Sequence, residues 1–249
     1  MSTSEPSITR APRLFCEGVL SPGATVRLSE RSARHLAALR LNVGDEVTLF
    51  NGDGFESQAL LAEVGKRGAS ATVRRREAVE RESPLAIRLA QGVCASDRMD
   101  LVLQKATELG AAAIYPVTTT RTIVRLSPER RERRATHWQN VVIAACEQCG
   151  RNRIPTVEAT RSFPQFMADA PQDGTRILLA PDGEVGFREL TVAGPVCVLI
   201  GPEGGLTPAE REIATTAGFM AVRFGPRILR TETAPLAALA ALQALYGDC

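Results

Sequence analysis

At 249 residues the chain has room for one large hydrophobic core or two ordinary ones, and its 44% hydrophobic and 23% charged residues exclude wholesale disorder and a fibrous repeat. The formal net charge is only +2, but of the 30 basic residues just Lys66 and Lys105 are lysine, so guanidinium groups suited to bidentate phosphate contacts carry the positive charge. Codon usage accounts for such a ratio chain-wide, which leaves local arginine clusters as the feature that bears on function.

The longest mostly apolar run, Ala234 to Tyr246, falls short of the roughly 20 residues that span a bilayer and contains Pro235. The opening stretch MSTSEPSITRAPRLF lacks the apolar core of a secretory signal, so the expectation is a cytoplasmic protein without a membrane partner. Cysteines at 16, 94, 146, 149, 197 and 249 are scattered as in a reduced protein. Cys146 and Cys149 form a C-x-x-C with no second pair, and His35 and His137 lack zinc spacing, so no metal site is expected.

Residues 13 to 78 alternate short β-like runs with turns: Arg13 to Glu17, Ala24 to Leu28, Glu46 to Phe50, Glu56 to Val64 and Ala69 to Arg75. A helix near Ser32 to Arg40 interrupts them, and Asn51-Gly52-Asp53-Gly54 is a hairpin turn, so residues 1–78 read as a small β-barrel domain. The charged, aperiodic stretch 79–84, ending on a proline, reads as a linker.

From residue 85 to 249 the pattern is α/β. LAIRLAQ, AIYPV, RILLA, VCVLI and MAVRF are apolar strand candidates separated by helices. Asp97 is placed to cap a helix whose apolar face is Met99, Val102, Leu103 and Ala106 and which Gly110 ends. Ser127-Pro128-Glu129 opens a second helix, with Arg130, Arg131, Arg133 and Arg134 in its first turns and Trp138, Val141, Val142 and Ala145 on one face. Thr207-Pro208-Ala209-Glu210 is a capping box.

Three turns follow three of these strands. Leu199, Ile200, Gly201, Pro202, Glu203, Gly204 and Gly205 lead into the capping box, and their glycines let main-chain groups approach and hydrogen-bond a flat heterocycle and ribose. The second turn follows MAVR, and Phe224, Gly225, Arg227, Ile228, Leu229, Arg230, Thr233 and Ala234 are its candidate ligand-binding residues. Leu179, Ala180 and Pro181 form the third, and all three sit where α/β proteins bind ligands, at the carboxyl ends of strands. No Lys-Ser/Thr follows the glycines and no G-x-G-x-x-G is present, which argues against a nucleoside triphosphate or dinucleotide. A plain strand–turn–helix connection would use the same glycines.

GPEGGLTPAE followed by GPRILRTETA resembles the paired C-terminal motifs of the ribosomal small-subunit methyltransferase E family, which makes 3-methyluridine at position 1498 of 16S rRNA. DRMDLVLQKATELGAAAIYPV, HWQNVVIAACEQCGRNRIP and the N-terminal RLF, HLAALRLNVGDEV and FNGDG segments extend the resemblance over nearly the whole chain. It implies a SPOUT-type α/β domain whose C-terminus threads a trefoil knot around S-adenosylmethionine, a PUA-like barrel that holds RNA, and a homodimer acting on 16S rRNA in the small ribosomal subunit. Cys149, where the family has a small hydroxyl residue, and His137, at a place often filled by arginine, depart from the pattern.

Methylation at uracil N3 requires loss of the imide proton and leaves charge on the uracil oxygens, so Arg230 and Arg227 are candidate anion stabilisers and Glu232 a candidate proton acceptor. Alternatively the arginines pair with Glu203 or Glu232, and Glu232 serves a helix start. Arg121, Arg125, Arg151 and Arg153, with Arg13 and Arg40 on the barrel, are the candidate rRNA contacts. The same residues would also suit a non-catalytic rRNA-binding or ribosome-assembly protein, or a SPOUT methyltransferase with a different RNA target.

Overall fold

The computed structural model describes residues 11–65, 68–123 and 128–249, so Lys66, Arg125 and Ser127 lie outside the described residues. The chain divides into two compact units, the first running to Arg81 and taking in Glu147–Arg153, the second comprising Glu82–Cys146 and Ile154–Cys249.

The first unit holds strands β1 (Arg13–Phe15) and β2 (Thr25–Leu28), helix α1 (Glu30–Ala38), and strands β3 (Glu46–Phe50), β4 (Phe55–Gly65) and β5 (Gly68–Ala78). They form one five-stranded sheet in the order β1-β3-β4-β5-β2, with β1 and β3 parallel and the other neighbours antiparallel. The alternation along β4 and β5 turns Ala59, Leu61, Ala69, Ala71 and Val73 inward, where they meet Leu14, Leu36, Val47 and Leu49. Helix α1 begins two residues before the expected Ser32, because the Ser29 hydroxyl caps it by accepting from the Ser32 N–H. It ends before Arg40, whose φ of 58° leaves the helical region.

The second unit runs β6 (Ile87–Gly92), α2 (Ser96–Glu108), β7 (Ala111–Thr118), α3 (Pro128–Cys149, its last turn counted with the first unit), β8 (Thr156–Val157), β9 (Arg161–Ser162) and α4 (Phe163–Ala168). It continues through β10 (Thr175–Leu179), β11 (Val185–Gly186), a 3₁₀ turn at Phe187–Glu189, β12 (Val196–Ile200), α5 (Pro208–Thr216), β13 (Met220–Arg223) and α6 (Thr233–Tyr246). The sheet order is β11-β13-β10-β12-β6-β7-β8, with β9 also on β7, and every pairing is parallel. Helices on both faces explain why β12 is buried at all five positions and why these strands read as continuous apolar runs. Phe166 stands between Tyr115 and Phe219, with ring centroids 5.7 and 6.4 Å away, in the core beneath α4 and α5.

One expected cap is corrected. Helix α2 starts at Ser96 after Ala95, so Asp97 lies in its first turn and does not cap it. The carboxylate that accepts from the Ala95 N–H, at 2.9 Å, belongs to Glu203 on a distant loop. Helix α6 sets Ala234, Ala238, Leu239 and Leu242 against the sheet and α2, and its buried Gln243 donates to the Leu109 carbonyl and accepts from the Ser83 hydroxyl.

The end of β6 touches the loop after β12 so closely that a Cβ on Gly92 would lie 2.4 Å from the Pro202 nitrogen. Backbone cannot yield as a flexible side chain can. Gly92→Ala is therefore expected to destabilise the second unit by more than about 3 kcal/mol, in the tail of single-substitution effects, and thermal melting of the purified variant checks this; an unchanged midpoint would contradict the close approach.

Candidate active site

Strands β13, β10 and β12 are neighbours and parallel, so the turns that follow them open on the same edge of the sheet. Together they enclose a cavity of about 510 Å³. Leu178, Leu179, Ala180 and Pro181 wall one side; Ile200, Gly201, Pro202, Glu203, Gly205 and Leu206 wall the second; and Phe224, Arg227, Ile228, Leu229, Arg230, Thr231, Glu232 and Ala234 close the third. Leu199, Gly204, Gly225 and Thr233 are not among the lining residues: Leu199 is buried within β12, and Gly204 lies against Arg121.

Each loop is held by internal hydrogen bonds. The Gly205 N–H donates to the Pro202 carbonyl at 2.8 Å, and Gly205 has φ +66°, a conformation that favours glycine. The Thr231 hydroxyl donates to the Gly201 carbonyl at 2.8 Å and accepts from the buried Gln91 side chain at 3.1 Å. Phe224 stacks edge-on against Phe187 at 4.8 Å, and the Arg230 carbonyl accepts from the N–H groups of Thr233 and Ala234 at the start of α6.

Charges at the mouth sort themselves around Arg98, a residue the sequence reading did not single out. Its guanidinium lies 3.2 Å from Glu203 Oε1 and 3.9 Å from Glu232 Oε2, and that Glu232 oxygen is buried with no hydrogen-bond partner. Among the described residues neither Arg227 nor Arg230 forms an ion pair, so the carboxylates expected to neutralise them face Arg98 instead. Arg211, also on the cavity wall, makes a bidentate pair with Asp182. Beneath them the buried Cys94 thiol is pushed up to about 12, by burial first and by the nearby Glu203 carboxylate second. The signal that would have found Arg98 is its position in the first turn of α2, within reach of any acid placed at that helix's N-terminus.

The candidate RNA contacts separate by burial. Arg13 is 8% exposed: it pairs with Glu56 at 2.7 Å and donates to the Asn152 side chain and the Arg151 carbonyl. Arg151 is 5% exposed. Neither presents its guanidinium on the surface, and that of Arg13 is enclosed by these long-range partners inside the first unit. Arg40 and Arg153 are exposed, the latter 3.4 Å from Glu80. Arg121 is exposed and donates to the Gly204 carbonyl at 2.8 Å. Arg125 lies outside the described residues. The described residues hold no cluster of potential metal ligands, and no described helix is long and apolar enough to cross a membrane.

A parallel α/β domain with a ligand cavity at its strand ends, after a small β domain, is the class of protein these observations define. Residues 81–243 match the family model of the RNA methyltransferase domain and residues 28–74 that of the RNA methyltransferase PUA domain. The ribosomal RNA small subunit methyltransferase E of Bacillus subtilis is 33% identical over 239 residues, 90% of this chain and 93% of the relative. That of Neisseria gonorrhoeae, solved bound to S-adenosyl methionine, superimposes with a TM-score of 0.89 at 40% identity, covering 96% of this chain and 99% of that one. A Legionella pneumophila protein solved in complex with the bound cofactor SAM gives 0.93 at 37% identity over 97% and 100%. The chain belongs to the ribosomal RNA small subunit methyltransferase E family.

Glu210, at the start of α5, supports the glycine loop from below. Burial alone would raise its carboxyl, but hydrogen bonds from the N–H groups of Thr120 and Thr207 and from the Thr207 hydroxyl outweigh it and hold the group below the usual carboxylate range. A carboxyl depressed on folding contributes stability that is present above its unfolded pKa, about 4.3, and is lost as pH falls through the folded value. Glu210→Gln should melt lower than wild type at pH 7 and lose less of its midpoint between pH 5 and 3; parallel wild-type and variant curves across that window would show that the carboxylate contributes nothing.

Proposed function

We propose that this chain transfers a methyl group from S-adenosylmethionine to N3 of a uridine in 16S rRNA. The observation that carries the reading is the cavity, walled by two glycine-containing loops whose sequences resemble the paired motifs of the family. At about 510 Å³ it falls in the range of small-molecule sites. Its apolar walls, from Leu179, Ile200, Leu206, Phe224 and Leu229, suit a flat base and ribose. The residues that would hold the cofactor are those of 179–181, 200–205 and 224–229 that line the cavity. S-adenosylmethionine, when bound, supplies an electrophilic methyl group on a positively charged sulfur.

The chain's own groups supply the remaining chemistry. Uracil N3 becomes nucleophilic only as its proton leaves, and negative charge then spreads to the flanking carbonyl oxygens. Arg227 and Arg230 are exposed at the mouth without carboxylate partners among the described residues, so their N–H donors are available to those oxygens. The buried Glu232 Oε2, which accepts no hydrogen bond and lies 3.9 Å from Arg98, is the acceptor proposed for the N3 proton.

The trefoil threading implied by the motifs belongs to the same reading. Thr231, bonded to Gln91 in β6 and to Gly201 just after β12, draws segment 224–232 against both before α6 returns to α2, β6 and β12. A homodimer is proposed as the active form; Ile228, 82% exposed beside the cavity, and Leu245 and Tyr246 on α6 leave apolar surface for a second copy. Small ribosomal subunits in the cytoplasm are the proposed substrate particles.

Deleting the gene should remove 3-methyluridine from nuclease digests of 16S rRNA, and restoring it should return the nucleoside; an unchanged digest would refute the assignment. Arg230→Ala should lower single-turnover methylation by roughly 10²–10³-fold, the loss typical of one anion-stabilising donor, with S-adenosylmethionine affinity almost unchanged. Higher pH should partly restore the rate, since hydroxide then helps remove the N3 proton. A loss confined to cofactor affinity would reassign Arg230 to loop architecture.

A further inference from the structure

The segment after β7 is fastened across the glycine loop at two points. Its Thr120 N–H donates to Glu210 Oε1 at 2.8 Å, while Glu210 Oε2 accepts from the Thr207 N–H and hydroxyl, so one buried carboxylate joins the segment to the start of α5. One residue on, Arg121 donates through Nη1 to the Gly204 carbonyl at 2.8 Å. The turn is braced from within as well, since Thr119 donates its N–H to the Thr122 hydroxyl at 2.8 Å.

Gly204 completes the contact. A Cβ built there would lie 3.0 Å from Arg121 Cβ and 3.4 Å from its Cδ, so the glycine makes room for the arginine stem; the Gly204 contacts nearest to such an atom all come from Arg121. The peptide that follows is the one whose N–H, from Gly205, closes the turn onto the Pro202 carbonyl, and Gly205 lines the cavity. A hydrogen bond from a charged donor to the carbonyl of this peptide unit fixes the plane in which its N–H points.

We infer that Arg121 is a positioning residue of the cofactor loop: anchored by the Glu210-bound segment, its guanidinium holds the Gly204–Gly205 peptide in the orientation that forms the cavity wall. This rests on the reading of the cavity as a cofactor site, and it assigns Arg121 a role other than the rRNA contact expected of a surface arginine.

Two measurements on the full chain test it. Hydrogen exchange in the ligand-free protein reads the loop directly: Arg121→Ala should speed exchange of the Gly205 amide at least about tenfold, and Arg121→Lys, which keeps a donor of similar reach, should recover most of the protection. Calorimetry with S-adenosylmethionine should give about tenfold weaker binding for Arg121→Ala, again largely recovered by lysine, while RNA affinity and its salt dependence stay at wild-type values. An unchanged Gly205 exchange rate overturns the inference. So does a variant that binds S-adenosylmethionine normally but loses RNA affinity with a salt slope lowered by about one, the signature of a phosphate contact. Should the wild type bind no S-adenosylmethionine, the methyltransferase reading falls, and Gly205 exchange still decides the role of Arg121.

Discussion

The Thr231 hydroxyl donates to the Gly201 carbonyl and accepts from the side chain of Gln91, which is closed off from solvent. Only a group that donates and accepts at one atom can serve both. Each such bond contributes about 0.5–1.5 kcal/mol net, but leaving a buried partner unsatisfied costs about 1–3 kcal/mol. The constraint propagates outward. With Thr231 pinned, Phe224 to Arg230 must lie across the cavity mouth, and α6 must begin where the Arg230 carbonyl meets its first N–H groups. Gly92 completes the arrangement by having no side chain where the Pro202 backbone passes.

Charge placement follows the same economy of partners. Glu203 and Glu232 share Arg98, Asp182 takes both arms of Arg211, and Glu56 takes Arg13 and Arg81. Burial would raise the Glu56 carboxyl, yet hydrogen bonds from Arg81 and Arg13 hold it below its ordinary range. Arginine thus plays two parts in this chain. Some guanidinium groups are forks that join remote segments, and others, at 227 and 230, are exposed at the cavity mouth with no ion pair among the described residues.

That division also explains what was legible in the sequence and what was not. The short runs RILLA and VCVLI, bounded by turns, marked β10 and β12, and the capping box Thr207 to Glu210 marked the start of α5, because those signals are local. The two glycine loops were legible for the same reason. Strands β8, β9 and β11 have two residues each, too few for any period to register. The burial of Arg13 was out of reach, since its partners Glu56 and Asn152 lie 43 and 139 residues away. Asp97 had every local attribute of a cap, and the competing acceptor, Glu203, is more than a hundred residues distant. Arg98 was hidden by the same long-range contact.

Glu203 therefore does more than occupy a position in a motif. Its carboxylate accepts from Ala95 at the N-terminus of α2, where the helix has no side-chain cap of its own and its dipole favours negative charge. On the other side of the same turn, the Gly204 carbonyl accepts from Arg121. Between these contacts the Gly205 N–H closes onto Pro202. A loop of glycines would ordinarily lose much conformational freedom on meeting a ligand. Here the neighbouring elements impose that loss during folding, so the main-chain groups of the cavity wall are oriented before any ligand arrives.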